Sequence, residues 1–263
     1  MELASRTWGD GARALLWIHG YAMDSSLWQP LWELLPEYRH VGVDLPGHGG
    51  SSALPVEGAP AMADAVLATA TKTGTRDLVA MSFGGLVGIQ AAMQAERGWL
   101  STLVLASPAL GGGPQDADSL TLNVELINMV AERGVGPWVV DRWMTCPPRI
   151  FEGASRQPAL YARLRAVAER HAFRELQTGS MAPLMNQVHG GRELARIDAR
   201  TLVMVGEDDM EAFKRIAELI RRGVRGCVRQ YLPGAGHVAL LERPAEAAAR
   251  LRAFLEAVPA AAT

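Results

Sequence analysis

The chain has 263 residues, 49% of them hydrophobic and 21% charged, which suits one sizeable globular core rather than a disordered, fibrous or membrane-embedded protein. Its formal net charge of −2, without long basic or acidic blocks, gives no electrostatic footprint for nucleic acid or an anionic membrane as partner. No stretch approaches the roughly 20 apolar residues of a membrane span.

The N-terminus, MELASRTWGDGARALLW, lacks a basic segment followed by a long apolar core and a small-residue cleavage site, so a cytoplasmic location is expected. Cys146 and Cys227 lie far apart, without metal-ligand spacing or a disulfide framework, and are expected to be buried or incidental thiols.

In chain order, Leu3 to Trp8 reads as a first strand, closed by the turn residues Gly9-Asp10-Gly11. Ala14 to Ile18 is apolar throughout, as a strand buried on both faces must be, and it ends in His19-Gly20-Tyr21. Val41 to Leu45 is a second such strand and runs into Pro46-Gly47-His48-Gly49-Gly50-Ser51-Ser52. That loop lacks the lysine of a P-loop and the spacing of a dinucleotide fingerprint, so a phosphate cradle is not expected. Met62 to Lys72 then reads as a helix.

The stretch from Arg76 to Glu96 organises the rest. Leu78, Val79 and Ala80 form a short buried strand, and Leu86, Val87, Ile89, Ala91 and Met93 continue as an apolar helix, with Ser82 at the turn between them. A strand that turns directly into a helix strains and exposes its middle residue, and the residues packed on that turn, Ala80, Gly84 and Gly85, are small. A hydroxyl then stands beside a helix N-terminus, where free N–H groups and the dipole favour developing negative charge.

Leu100 to Ala106 is another buried strand. The alternation of strands and helices predicts an α/β fold with a mainly parallel central sheet flanked by helices, in which sites gather at strand C-terminal ends. From Gly111-Gly112-Gly113-Pro114 to about Arg200 the pattern is helical, and Leu160, Leu164, Val167 and His171 share one helical face within a helix expected over 159–176. Residues 111–200 are therefore expected to be an inserted helical cap on a core made of 1–110 and 201–263. Met129, Met144, Met181, Met185, Trp138 and Trp143 are candidates for an adaptable apolar pocket, with Trp138, Trp143 and Met144 taken as substrate-binding; plain core is the competing reading. His171 and His189 read as ordinary helix and loop residues.

The rhythm resumes with a strand over Thr201 to Val205 ending in Gly206-Glu207-Asp208-Asp209, a helix over Phe213 to Arg222, a last strand over Val228 to Leu232 leading to Gly236-His237, and a closing helix from Ala245 to Val258. Ser82, an acid near 209 and His237 thus fall after three separate strands. A serine hydroxyl needs a base within hydrogen-bond reach, and the base needs a carboxylate to hold its tautomer.

Ala80-Met81-Ser82-Phe83-Gly84-Gly85 resembles the nucleophile elbow of the α/β-hydrolase family, with alanine in place of the usual first glycine. Asp44-Leu45-Pro46-Gly47-His48-Gly49-Gly50-Ser51 resembles the family's loop after the second core strand, and Gly236-His237 with Glu242-Arg243-Pro244 resembles its histidine segment. The chain order of serine, acid and histidine is also the family's. The resemblance implies Ser82 as nucleophile, His237 as general base and, as oxyanion donors, the backbone N–H groups of Tyr21 and Phe83; the His19 side chain would only bond loop backbone. The family's spacing after Gly206 selects Asp209 as the acid, with Asp208 still open, because Met210-Glu211-Ala212-Phe213 lacks the proline often found there.

The resemblance further implies hydrolysis of a carboxylic ester or related acyl compound, such as a lactone or thioester, through an acyl-enzyme. No metal or organic cofactor is implied. Carbon–carbon bond hydrolysis, acyl transfer and a triad-retaining ligand sensor remain open, whereas a serine at the elbow argues against dehalogenase and epoxide hydrolase relatives. The expected partner is a small-molecule acyl substrate with an apolar group; oligomeric state is not addressed by the sequence.

Overall fold

A computed structural model describes residues 2–51, 58–179 and 187–257. Seven strands, β1 (Ser5–Trp8), β2 (Ala14–Ile18), β3 (Arg39–Val43), β4 (Asp77–Met81), β5 (Thr102–Ala106), β6 (Arg200–Gly206) and β7 (Val228–Leu232), form one sheet in the order β1-β3-β2-β4-β5-β6-β7. Only β1 runs antiparallel to its neighbour; every other pair is parallel. The inner strands β2, β4 and β5 are buried at every residue, as helices covering both faces require.

Side chains alternate between the two faces. Leu16, Ile18, Leu78, Leu103 and Val203 meet α2 (Ala59–Thr73), α3 (Phe83–Gln94) and, further along the sheet, α10 (Glu211–Gly223). Leu15, Trp17, Val79, Val104 and Leu202 join a second cluster with α1 (Gln29–Trp32) and α11 (Pro244–Glu256). The stretch after Tyr21, for which no element is predicted, forms a 3-10 turn over Ser25–Trp28 that continues into α1, with the Asp24 carboxylate accepting from the Ser26 N–H at 2.9 Å. It delivers Trp28 and Trp32 to Trp17, whose indole N–H donates to His40 Nδ1 at 3.0 Å.

Between β5 and β6 lie α4 (Ala117–Arg133), α5 (Pro137–Trp143), α6 (Glu152–Ser155), α7 (Pro158–Ala168), α8 (Arg174–Thr178) and α9 (Gly191–Leu194). The single helix expected over 159–176 is two. Arg170 N–H to Val167 O at 3.0 Å and His171 N–H to Ala168 O at 3.1 Å tighten the chain, and Phe173 sits at φ 47°, which ends α7 and starts α8 in a new direction. His171 is consequently in the break, not on a helix. The candidates Met181 and Met185, and the expected end of the last helix at Val258, lie outside the described residues. At the base of the insertion His189 N–H donates to Gly111 O at 2.8 Å and its ring bonds Gln90 Oε1 at 2.9 Å. Both cysteines are free; Cys146 is exposed and Cys227 half-buried, so the buried alternative does not hold for Cys146. Among the described residues no helix is long and apolar enough to cross a membrane.

Candidate active site

The strand registers align Ile18 with Val43 and Ala80, Met81 with Ala106, Ala106 with Met204 and Gly206 with Leu232, so the loops after six parallel strands share one edge of the sheet. Ser82 turns there at φ 52° and ψ −119°, a conformation rare for a residue with a side chain. Its N–H donates to Ala106 O at 2.9 Å, and its carbonyl accepts from Gly85 and Ala109 N–H, both at 2.8 Å. A Cβ on Gly84 would overlap His19 O, so that position requires glycine. The unusual Ala80 has its own compensation: Gly88, one helical turn into α3, leaves room where a Cβ would come within 2.9 Å of Ala80 Cβ.

His237 Nε2 lies 2.9 Å from Ser82 Oγ, and its Nδ1 lies 3.0 Å from Asp209 Oδ1. The carboxylate only accepts, so Nδ1 carries the hydrogen and Nε2 offers a lone pair to the serine hydroxyl. Asp209 is 3% exposed and its Oδ1 also accepts from the Met210 N–H at 2.7 Å. Asp208 points elsewhere, its side chain 40% exposed and paired with Arg156 at 3.3 Å. The Phe213 ring packs on His237 at 4.2 Å between centroids.

Phe83 is the first residue of α3, where backbone N–H groups have no intrahelical acceptor. Tyr21 follows Gly20, whose Cα faces Ser82 so closely that an added Cβ would lie 3.4 Å from Ser82 Cβ. His19 donates from Nδ1 to Gly20 O at 2.7 Å and accepts at Nε2 from the Leu45 N–H at 2.9 Å, so its ring ties β2 to the loop after β3. Burial lowers its pKa below the usual imidazole value.

The Tyr21 ring is a hub. It makes edge contacts with His48 (5.9 Å), Phe83 (6.4 Å), Trp143 (5.2 Å), His171 (5.6 Å) and Phe173 (6.3 Å). Its hydroxyl donates to Glu175, which also receives His171 Nε2 at 3.1 Å. Burial pushes the Glu175 carboxyl up, but these two bonds outweigh it and leave the pKa below the ordinary value. Burial and then Glu175 raise the Tyr21 phenol well above its usual range. Arg170 reaches Asp24 at 2.6 Å, a second link between the segment joining β5 to β6 and the loop after β2.

Of the three substrate-binding candidates, Trp143 is thus brought to Tyr21, on the loop after β2. Met144 is buried, with its carbonyl accepting from the Tyr161 hydroxyl at 2.9 Å. The Trp138 contacts are local: its N–H donates to Gly134 O at 3.1 Å and its ring lies under Arg133.

Sequence reasoning missed Glu175, His171 and Glu242 as site residues. Glu242 is buried, and its carboxylate accepts from the backbone on both sides of His237. Burial raises its pKa, partly offset by those two N–H groups. Its place in Glu242-Arg243-Pro244 was the available signal. Among the described residues no group of three or more His, Cys, Asp or Glu is arranged to hold a metal ion.

A parallel sheet with one antiparallel edge strand, and a serine, a histidine and an aspartate hydrogen-bonded in series at its carboxyl edge, define an α/β fold of hydrolase type. The chain belongs to the alpha/beta hydrolase family, whose model matches residues 15–251. It is 30% identical over 254 residues to 2-succinyl-6-hydroxy-2,4-cyclohexadiene-1-carboxylate synthase of Escherichia coli strain K12, covering 92% of this chain and 93% of that one. Its fold is similar to a thermophilic esterase from Thermogutta terrifontis (TM-score 0.79, 23% identity, 96% of this chain and 92% of that chain). MenH from S. aureus is similar too (TM-score 0.81, 20% identity, 96% and 97%), as is the enol-lactonase from Burkholderia xenovorans LB400 (TM-score 0.78, 19% identity, 97% and 96%).

Proposed function

We propose that this protein is a serine hydrolase that cleaves a carboxylic ester, or a related acyl compound such as a lactone or thioester, through an acyl-enzyme on Ser82. The observation that carries this reading is the unbroken series from Ser82 Oγ through His237 to buried Asp209, with spacings of 2.9 and 3.0 Å. Ser82 attacks the acyl carbonyl while His237 Nε2 takes its proton, and Asp209 stabilises the imidazolium. The Tyr21 and Phe83 N–H groups receive the oxyanion, each donor lowering the barrier by about 3 kcal/mol. His237 then protonates the leaving alkoxide, and water repeats the sequence to release the acid. The helical insertion acts as the cap, and the acyl group lies against its aromatic side chains.

Labelling with a fluorophosphonate probe tests this directly, alongside turnover of a p-nitrophenyl ester. Wild type should label and turn over, and Ser82→Ala and His237→Ala should do neither. A folded wild type that stays unlabelled and inactive would sink the reading and move a ligand sensor to the front.

One observation favours a second reading: the E. coli relative that aligns across nearly the whole chain is named as a synthase. On that reading His237 serves as base toward a substrate that never acylates Ser82. Mass spectrometry separates the two, since only the hydrolase accumulates an acyl adduct on Ser82 when a slow ester is supplied.

A further inference from the structure

Among the described residues, three buried ring nitrogens around Tyr21 have no hydrogen-bond partner: His48 Nε2, His171 Nδ1 and Trp143 Nε1. Their rings form one cluster, with His48 and His171 at 4.4 Å between centroids and Tyr21 against both and against Trp143. Phe83, next in sequence to Ser82, stacks on His48 at 6.3 Å. The cluster therefore begins one residue from the nucleophile.

The partners of the other nitrogens fix what each free atom can do. His48 Nδ1 lies 2.9 Å from Pro46 O, and a carbonyl only accepts, so Nδ1 carries the hydrogen. Burial, reinforced by His19 and His171, holds His48 well below the ordinary imidazole pKa, so the ring is neutral and Nε2 is a bare acceptor. His171 gives its Nε2 hydrogen to Glu175 at 3.1 Å, which leaves Nδ1 as its free atom. Trp143 Nε1 only donates. His19, in the same ring stack, has both nitrogens satisfied, so the free atoms are not a general feature of the cluster.

A buried polar atom without a partner is costly, and in native proteins such atoms are few. The His48 acceptor and the Trp143 donor, with the free His171 Nδ1 in the same ring cluster, complement a group that both donates and accepts. The surrounding Tyr21, Phe83, Trp143 and Phe173 rings favour a flat, aromatic carrier for that group. We propose that His48, His171 and Trp143 form a polar subsite for a hydroxyl group on an aromatic acyl moiety, which makes hydroxyaryl acyl compounds the preferred substrate class. This rests on the hydrolase reading and narrows its apolar acyl group to one bearing a hydrogen-bond donor.

The test is hydrolysis of p-nitrophenyl esters of ortho-, meta- and para-hydroxyphenylacetic acid, each paired with its methyl isostere. The wild type should prefer at least one hydroxylated member by about tenfold or more in kcat/KM, because a site built to bond a hydroxyl rejects the analogue lacking it. His48→Asn retains an amide near Nδ1 for Pro46 O and removes Nε2; His171→Gln retains an amide near Nε2 for Glu175 and removes Nδ1. Within either folded variant the preference should shrink to less than about threefold. Equal turnover of every pair by wild type, or a preference that both variants keep, overturns the subsite and assigns these atoms to ordered water. If no ester is hydrolysed and no fluorophosphonate labels, the hydrolase reading has failed separately. The free acids then decide by thermal midpoint: a larger rise with a hydroxylated acid than with its methyl partner supports the subsite, and equal rises overturn it.

Discussion

The carboxylate of Glu242 holds the backbone on both sides of His237, accepting from the Gly236 N–H at 2.7 Å and from the Val238 N–H at 3.2 Å. The imidazole reaches Ser82 and Asp209 at once only if this turn keeps its shape. Glu242→Gln replaces one accepting oxygen by an amide NH2 that faces a backbone N–H, so one of the two bonds is lost. We expect kcat to fall by a factor of roughly 10 to 100 while KM stays within about threefold, because the base is misplaced but the binding surface is not. Steady-state kinetics on a p-nitrophenyl ester checks this; an equal rise in KM would assign Glu242 to the binding surface instead.

Asp209 and Asp208 are neighbours with opposite surroundings. Asp209→Asn is expected to reduce turnover by about three to four orders of magnitude, since an amide lets the imidazole adopt the wrong tautomer. Asp208→Asn removes only a half-exposed pair with Arg156, an interaction of about 0–1 kcal/mol, and turnover should remain within about threefold. Comparable losses in the two variants would contradict the assignment of the acid.

The strands were legible because both faces of β2, β4 and β5 are covered, so burial leaves an unbroken apolar run that needs no context to recognise. Ser82 and His237 were legible because their turns demand small residues. Asp208 and Asp209 were not separable by residue type; the family's spacing favoured Asp209, and the direction each takes after β6 divides them. His171 was hidden for a different reason. Leu160, Leu164, Val167 and His171 satisfy helical spacing, and the break that turns His171 inward depends on Phe173 adopting φ 47°, which tertiary packing imposes. Glu175 and Trp143 meet Tyr21 only through the tertiary packing of the segment between β5 and β6, which no local pattern encodes.

Ala80 and Gly88 exchange one methyl between strand and helix. Gly88→Ala should destabilise the protein by about 1–3 kcal/mol, because the new Cβ meets Ala80 Cβ at 2.9 Å in a fully packed interface. Ala80→Gly alone loses a buried methyl, about 1 kcal/mol. Combined, the two should cost less than their sum, with a coupling of about 0.5 kcal/mol or more in urea unfolding. Strict additivity would show that the helix moves away from the strand and that no exchange takes place.

Two histidines unconnected with the proposed chemistry contribute to the expected acid limit of stability. Burial holds both His40 and His189 down to about 4 from the ordinary 6.5. Each is built as a neutral ring: His40 accepts from the Trp17 indole and donates to Leu35 O, and His189 accepts from the Gly111 N–H and donates to Gln90. Protonation would put a second hydrogen against a donor in both cases. As pH falls below 6.5 the unfolded chain takes up protons that the native state refuses, so the stability these rings contribute is complete above about 6.5 and drains away down to about 4. Urea midpoints should therefore be flat near neutrality and decline through that window. His189→Gln keeps an amide for Gln90 and removes the titration, so its decline should be shallower than that of wild type. An identical slope in the variant would show that His189 contributes nothing to the acid limit, and stability rising on acidification would contradict the sign for both rings.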